Sequence, residues 1–388
     1  MTELPPDLLL PDYTGRNLRA VLPAALDAIG APTTSAGRAS GADRELLELP
    51  RATKVCVVLV DGLGSHLLAQ RGGHAPFLRS QLADGLTLTT GYPSTTAASL
   101  TMFGTGWPPG ATGMLGYTVR NGADGSLLNL VSWEEATVTP RAWQPRPTLV
   151  EQLGADSRRV TSVGPARFVG SGLTEAALRG PRFVAADSLA GRVDATAELL
   201  RTRETDLVYL YWGDVDKMGH HHGWGSREWG EAVELLDAEI GRLARTLPRG
   251  TLLLVTADHG MVDLEADSRI DVATTPELAR DVVLVAGEPR AVHVHTAADT
   301  AAEVAARWRA VLGDTAVVLL RDEAAGLGLC GPLSDRHRDT VGDVVVVTRG
   351  TRAIVDSRTQ TPSSIALIGV HGSLTAAEVE VPLLRLVV

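Results

Sequence analysis

Two stretches set carboxylate and imidazole side chains side by side, each directly after an apolar, β-branched run. They are Tyr209–Gly223, YLYWGDVDKMGHHHG, and Thr256–Met261, TADHGM. Two more apolar runs end in the same way, at Asp61 and at His371. Open parallel sheets bind ligands just beyond the carboxyl ends of their strands. Four strand-like runs that end in Asp or His therefore point to one polar site built at a common sheet edge. Oxygen and nitrogen donors without thiolate suit zinc, and also manganese. Two ligand clusters imply two metals, and two-metal sites commonly perform phosphoryl-transfer chemistry.

A nucleophile for such chemistry is available in Gly91–Met114, GYPSTTAASLTMFGTGWPPGATGM. A hydroxyl at a helix amino terminus is well placed for it, because the free N–H groups and the dipole favour an anion there. The plainer reading is that Thr95 and Thr96 simply cap a helix. The residues alone do not separate the two threonines.

The elements that must position these groups alternate between strand and helix. Lys54–Val60 (KVCVVLV) is a continuous apolar run, as expected of a strand buried on both faces. Leu86–Thr90, Arg158–Val163, Leu207–Trp212 and Thr251–Thr256 are further strand candidates. Helices are expected near Leu18–Ile29 and from Thr95 to about Phe103. The clearest helix is Ser226–Leu247, where Trp229, Val233, Leu236, Ile240, Leu243 and Leu247 recur at spacings of three and four. The segment of about 263–343 has short β-like runs (Val282–Val285, Ala291–His295, Ala316–Leu320) and is expected to be an insertion or cap. Asp343–Val347 and Ile365–Val370 are then expected as returning core strands. This gives one catalytic domain over 1–388, with its core at about 50–262 and 344–388.

Bulk properties narrow the function. The 388-residue chain is 44% hydrophobic, enough for a large α/β core, and its net charge of −10 argues against a general nucleic-acid-binding role. Two cysteines, Cys56 and Cys330, exclude a disulfide framework or a Cys-rich zinc module. The start, MTELPPDLLLPDYTG, lacks the basic and apolar regions of a secretory signal, and no long uncharged apolar run suggests a membrane span. A cytoplasmic protein is the expectation.

In their order along the chain, VDGLG, YPSTTAASLTMFGTG, Pro109–Gly113 as P-x-x-x-G, YWGDVDKMGH, ADHGM and GVHG resemble the motifs of the alkaline phosphatase superfamily, in particular its nucleotide pyrophosphatase/phosphodiesterase branch. The resemblance runs from Lys54 to His371. It implies a three-layer α/β fold, a central mostly parallel sheet flanked by helices, with a smaller inserted subdomain. It also implies two zinc ions, with manganese as the alternative. One would be held by Asp216, His220 and His371. The other would be held by Asp61, Asp258 and His259, with Thr96 coordinated as the nucleophile. The family's threonine is the fourth residue after an aromatic, here Tyr92, which selects Thr96. The implied activity is phosphodiester or nucleotide pyrophosphate hydrolysis through a phospho-threonine intermediate on a small phosphorylated substrate. A phosphomonoesterase or phosphonate hydrolase on the same fold is the alternative, and a non-catalytic metal-binding protein a third. The branch often carries Pro-Asn after its nucleophile, where the Asn amide meets a phosphate oxygen. This chain has Ala98-Ser99, so Ser99 is the expected substitute donor at i+3.

Other residues have plainer readings. His221 and His222 fall outside the motif and are expected at a cleft edge. Asp214 would share a face with Asp216 only in an extended segment. His293 and His295 are expected to be structural, and Cys56 to behave as a small buried hydrophobe. Arg120 or Arg146 could fold in to supply positive charge near Thr96. Tyr117 and Trp133 could stack on a base or simply pack.

Overall fold

The computed structural model describes residues 4–388. Its centre is a seven-stranded sheet in the order Leu86–Thr89, Glu380–Val387, Leu252–Ala257, Val55–Val60, Leu207–Trp212, Val160–Gly164 and Arg182–Ala185. Only Glu380–Val387 runs against its neighbours; the other pairings are parallel. Val55–Val60 and Leu252–Ala257 are buried along their whole length. Strands covered on both faces must be apolar at every position, which is why they read as unbroken runs. Val60 pairs with both Ala257 and Trp212, so three adjacent strands end at one level. Asp61 and Asp258 are the first residues past that edge.

Two separate helix groups flank the sheet. One joins Val21–Ala28, Ser40–Leu46, Thr96–Thr105 and Gly172–Ala177; the other joins Pro76–Ser80, Leu189–Arg201, Asp214–His222 and Arg227–Thr246. The last is the helix expected at Ser226–Leu247. All six of its expected apolar positions are buried, and Ser226 Oγ accepts the Trp229 N–H at 3.1 Å as its N-cap.

A second, antiparallel sheet has six strands in the order Ala316–Leu320, Val344–Thr348, Ala291–Thr296, Val282–Glu288, Thr118–Arg120 and Leu127–Asn129. Three expectations are corrected here. The strand expected at Asp343–Val347 does not return to the central sheet; it pairs with Ala316–Leu320 and Ala291–Thr296. Val344 and Val346 face a small core with Trp308, while Val345 and Val347 face the main core. With both faces covered, an antiparallel strand is as uniformly apolar as a parallel one. The second sheet also takes Thr118–Arg120 and Leu127–Asn129 from far earlier in the chain, so it is not the product of one contiguous insertion. Ile365–Val370 is likewise not a core strand. Pro362–Ile365 is helical, and only Gly369–Val370 is extended, pairing with Val262–Asp263.

The two sheets are tied by Arg290, in the turn between Val282–Glu288 and Ala291–Thr296. Its guanidinium meets Glu378 in two parallel bonds of 2.7 and 2.8 Å, and both side chains are fully buried. Glu378 also accepts from the Ser373 N–H at 2.9 Å and the Thr375 hydroxyl at 2.5 Å. Removing one member of such a pair strands the other charge, which typically costs about 3–5 kcal/mol. Arg290→Met is expected to lower stability by that amount in denaturant unfolding. The Arg290→Met/Glu378→Leu double variant is expected to lose less than the sum of the two single changes.

Candidate active site

The three carboxylates arrive from separate elements. Asp61 opens the turn after Val55–Val60, and its N–H bonds Trp212 O at 2.8 Å. Gly62, at φ +74°, completes that turn. A Cβ there would lie 2.9 Å from the Asp216 backbone, so the residue must be glycine for the two loops to approach. Asp258 directs Oδ1 at the N–H groups of Gly62 and His259, at 3.1 and 3.0 Å. Asp216 and His220 stand one turn apart on the helix Asp214–His222, with Oδ2 and Nε2 3.2 Å apart.

The three histidines share one arrangement. Nδ1 of His220, His259 and His371 lies 2.7, 3.0 and 2.8 Å from the carbonyl oxygens of Gly369, Gly260 and Ser94. A carbonyl only accepts, so each Nδ1 carries a proton and the neutral form of each ring presents its lone pair at Nε2. That tautomer, fixed by a backbone carbonyl, is the one that ligates metal. The His259 and His371 rings stack with centroids 3.7 Å apart. His259 Nε2 is 3.3 Å from Asp61 Oδ1 and 3.6 Å from Asp258 Oδ2.

Asp61 Oδ1, Asp216 Oδ1 and Asp258 Oδ2 are shielded from water and have no hydrogen-bond partner. Buried polar atoms are nearly always satisfied, and three orphaned carboxyl oxygens beside three inward-facing Nε2 atoms fit cations. The donors converge in two overlapping sets, Asp216–His220–His371 and Asp61–Asp216–His259. Five of the six expected ligand residues fall in these sets, with Asp216 in both; Asp258 is in neither, and stands beside them with Oδ2 3.6 Å from His259 Nε2. Electrostatics agree with this arrangement. Burial, then the charges of Asp258 and Asp216, pushes the Asp61 carboxyl well above the usual range. Burial also raises Asp258, against the pull of His259. For Asp216 the ion pair with His220 outweighs burial and holds the carboxyl low. The same pair raises His220 to about 9 although burial opposes it. His371 is driven down by burial and by its imidazole neighbours.

Thr96 is the first residue of the helix Thr96–Thr105, and its Oγ1 is 3.2 Å from His259 Nε2. Thr95 takes the N-cap backbone conformation, but its hydroxyl does not cap the helix. It donates to Glu288 Oε1 at 2.5 Å. The two threonines thus differ in surroundings, Thr96 facing His259 and Thr95 facing Glu288. Ser99 is a correction. It is fully buried, its Oγ pairs with Thr90 Oγ1 at 2.8 Å, and it does not line the cavity above the site. The next residue, Leu100, lines that cavity instead. Facing the core, Ser99 cannot reach a phosphate oxygen.

The cavity has a volume of about 1150 Å³. Its floor includes Asp61, Thr96, Asp216, His220 and His371, and Tyr117, Phe168 and Phe183 line its walls. Tyr117 is exposed there, whereas Trp133 is buried and bonds Leu130 O. Neither Arg120 nor Arg146 lines the cavity; Arg146 stacks on Trp107 at 4.1 Å. Asp214 is an exposed helix residue, His222 is exposed, and His221 stands at the cavity edge, as read from the sequence. His293 is structural, bonding Leu115 O and the Gly342 N–H.

Three contributors were not found by sequence reasoning. Tyr211 donates its hydroxyl to Asp61 Oδ2. The alternation of Tyr209 and Tyr211 in a buried strand was the available signal. Ser94 staples the threonine loop to the His371 loop, accepting from the Gly372 N–H at 3.2 Å and donating to Ser373 O at 2.8 Å. Glu288, from the second sheet, is buried at the cavity wall, and burial pushes its carboxyl up to about 7. No motif marks it.

No helix of the described residues is long and apolar enough to cross a membrane. The chain resembles ectonucleotide pyrophosphatase/phosphodiesterase family member 7 from Homo sapiens, at 33% identity over 98 residues, covering 23% of this chain and 21% of that protein. It resembles phosphopentomutase from Rhizobium rhizogenes at 32% identity over 119 residues, covering 30% and 27%. These alignments thus span about a quarter of the curated relatives. Among solved structures, murine ectonucleotide pyrophosphatase/phosphodiesterase 5 superposes with a TM-score of 0.67 at 17% identity, over 85% of this chain and 87% of that one. Phosphonoacetate hydrolase from Sinorhizobium meliloti 1021 does so with a TM-score of 0.68 at 21% identity, over 91% and 92%. These likenesses establish the shared α/β fold, a large central sheet flanked by helices. The model of the type I phosphodiesterase / nucleotide pyrophosphatase family matches residues 55–374, a span that holds all six acid and imidazole donors and Thr96, and the chain belongs to that family.

Proposed function

We propose that this protein is a metal-dependent phosphoester hydrolase of the phosphodiesterase/nucleotide pyrophosphatase type, with Thr96 as its nucleophile. The observation that carries the reading is the Thr96 hydroxyl at a helix amino terminus, beside three orphaned carboxylate oxygens and three oriented imidazoles. Asp216, His220 and His371 would hold one ion, and Asp61, Asp258 and His259 the other. Bound divalent ions would supply charge neutralisation and activation of the attacking oxygen. Zinc fits the donor set, and manganese is compatible with it.

The chain's own part is positioning. The main-chain N–H groups at the start of Thr96–Thr105 point at the place a phosphoryl oxygen would occupy. Thr96 Oγ1 attacks phosphorus, the ester oxygen leaves on the opposite side, and a phospho-threonine forms. Water then attacks phosphorus and frees Thr96. The large cavity receives the leaving group. A murine ectonucleotide pyrophosphatase/phosphodiesterase 5 variant described as inactive, with threonine changed to alanine, was solved in complex with AMP. That supports a small phosphorylated substrate, with a nucleotide among the candidates, and a threonine role.

A diester is the better match to the charge at the site. Neither arginine weighed from the sequence lines the cavity, and Arg167 and Lys217, which do, have exposed side chains. Glu288 adds a carboxyl beside Thr95. A second, dianionic phosphoryl charge has no clamp there. The likeness to phosphonoacetate hydrolase keeps a phosphonate as the second reading.

Three outcomes are expected. Protein purified without chelator should contain close to two equivalents of zinc or manganese by elemental analysis. Stripping with a chelator should abolish turnover, and re-addition of the ion should restore it; a protein equally active when metal-free would sink the reading. Thr96→Ala should lose several powers of ten in kcat with metal content retained, and Thr95→Ala much less. With bis-p-nitrophenyl phosphate, p-nitrophenyl phosphate and phosphonoacetate assayed together, kcat/KM for the diester should exceed the monoester value by at least about tenfold, which is about 1.4 kcal/mol. A clear preference for the monoester or the phosphonate would instead select that alternative.

A further inference from the structure

Glu288 has no part in the donor set, yet it lies against the nucleophile's neighbour. It closes the strand Val282–Glu288 of the second sheet, is 8% exposed, and lines the cavity. Gly372, next to His371, packs so tightly on it that a Cβ there would come within 2.7 Å of the Glu288 Cβ. The carboxyl is thereby held in place, with Oε1 2.5 Å from Thr95 Oγ1.

Thr95 is where this matters. Its φ of −144° and ψ of 151° are those of an N-cap residue. A threonine in that conformation normally turns its hydroxyl oxygen to the N–H two or three residues on, here Ala97 or Ala98. It does not do so. Ser99 N–H is bonded to Thr95 O at 2.9 Å. Among the described residues, the N–H groups of Thr96, Ala97 and Ala98 have no partner. The helix that carries the nucleophile therefore begins uncapped although a capping residue is in position.

We propose that Glu288 is a positioning residue that draws the Thr95 hydroxyl away from the helix, so that the first-turn N–H groups stay open to phosphoryl oxygens. The inference rests on the reading of Thr96 as the nucleophile. Glu288 itself touches neither substrate nor the reacting atoms. The device links the second sheet, which walls the leaving-group cavity, to the phosphate end of the site.

The test measures inorganic phosphate binding to the metal-loaded protein by calorimetry, with metal content checked for each variant. Glu288→Gln and Glu288→Ala both remove the charge, but only glutamine keeps an acceptor for the Thr95 hydroxyl. Phosphate should bind about fivefold more weakly to Glu288→Ala than to Glu288→Gln. In a Thr95→Ala background that difference should vanish, because no hydroxyl remains to cap the helix. Equal affinities of the two Glu288 variants, or a difference that persists without the Thr95 hydroxyl, would overturn the proposal. Thr95→Ala alone carries the distinction should Glu288→Ala not fold. A mere tie between sheets predicts that its phosphate affinity falls, whereas an uncapping device predicts affinity within about twofold of the parent. A parent that turns over bis-p-nitrophenyl phosphate but binds no phosphate overturns this inference alone; a metal-loaded parent that does neither removes the functional reading, and this inference with it.

Discussion

Asp61, Asp216 and Asp258 bring three carboxylates into a space that water scarcely reaches, where like charges repel with little screening. An unpaired buried ion costs several kcal/mol even after relaxation. The protein nevertheless makes this arrangement inevitable. Three parallel strands end in register, so Asp61 and Asp258, the first residues past two of them, lie close together, and the helix after the third brings Asp216 to them. Gly62 lets the Asp61 turn close onto Asp216, and Tyr211 orients the other Asp61 oxygen. Three imidazoles then have their outer nitrogens tied to backbone carbonyls, so that Nε2 of each faces inward. A neutral interior of the same shape would need none of these devices. They make sense together as the housing of positive charge that the chain does not itself provide.

Around that centre, each further contact joins pieces distant in sequence. Ser94 couples the threonine loop to the His371 loop. Arg290 and Glu378 lock the second sheet to the C-terminal segment. Glu288 reaches from the second sheet to Thr95. The result is a site whose floor comes from the central sheet and whose wall comes from the smaller one. The cavity wall and the start of the Thr96–Thr105 helix are therefore held by buried polar bonds between segments distant in sequence.

The central strands and the metal-ligand candidates were legible because burial on both faces forces unbroken apolar runs, and because Asp and His follow them at once. The long helix was legible from its three-and-four spacing. What failed has the same physical root. Val344–Thr348 has the same apolar run because its antiparallel sheet is also covered on both sides. Ile365–Val370 is apolar because part of it lines the cavity rim, where Leu367 and Val370 face the open space. Ser99 looked suited to phosphate by helix spacing, but the helix turns that position to Thr90 and the core. Glu288 could not be found at all. Its importance comes from tertiary contact with Thr95, and nothing in the residues around it distinguishes it from an ordinary strand-end acid.

The second sheet has a consequence for the making of the protein. Thr118 pairs with Gly287, 169 residues later in the chain. At ribosomal rates of roughly 5–20 residues per second, the early strands wait on the order of 8–34 s before their partner is synthesised. Val119 and Leu128, both buried in the finished protein, have no second-sheet neighbour beyond each other during that interval. Leu86–Thr89 of the central sheet waits longer still, for Glu380–Val387, so neither sheet is complete until late in synthesis. A truncated product that ends before residue 282 would carry the threonine helix and all three acids of the site, but neither Glu288 nor His371.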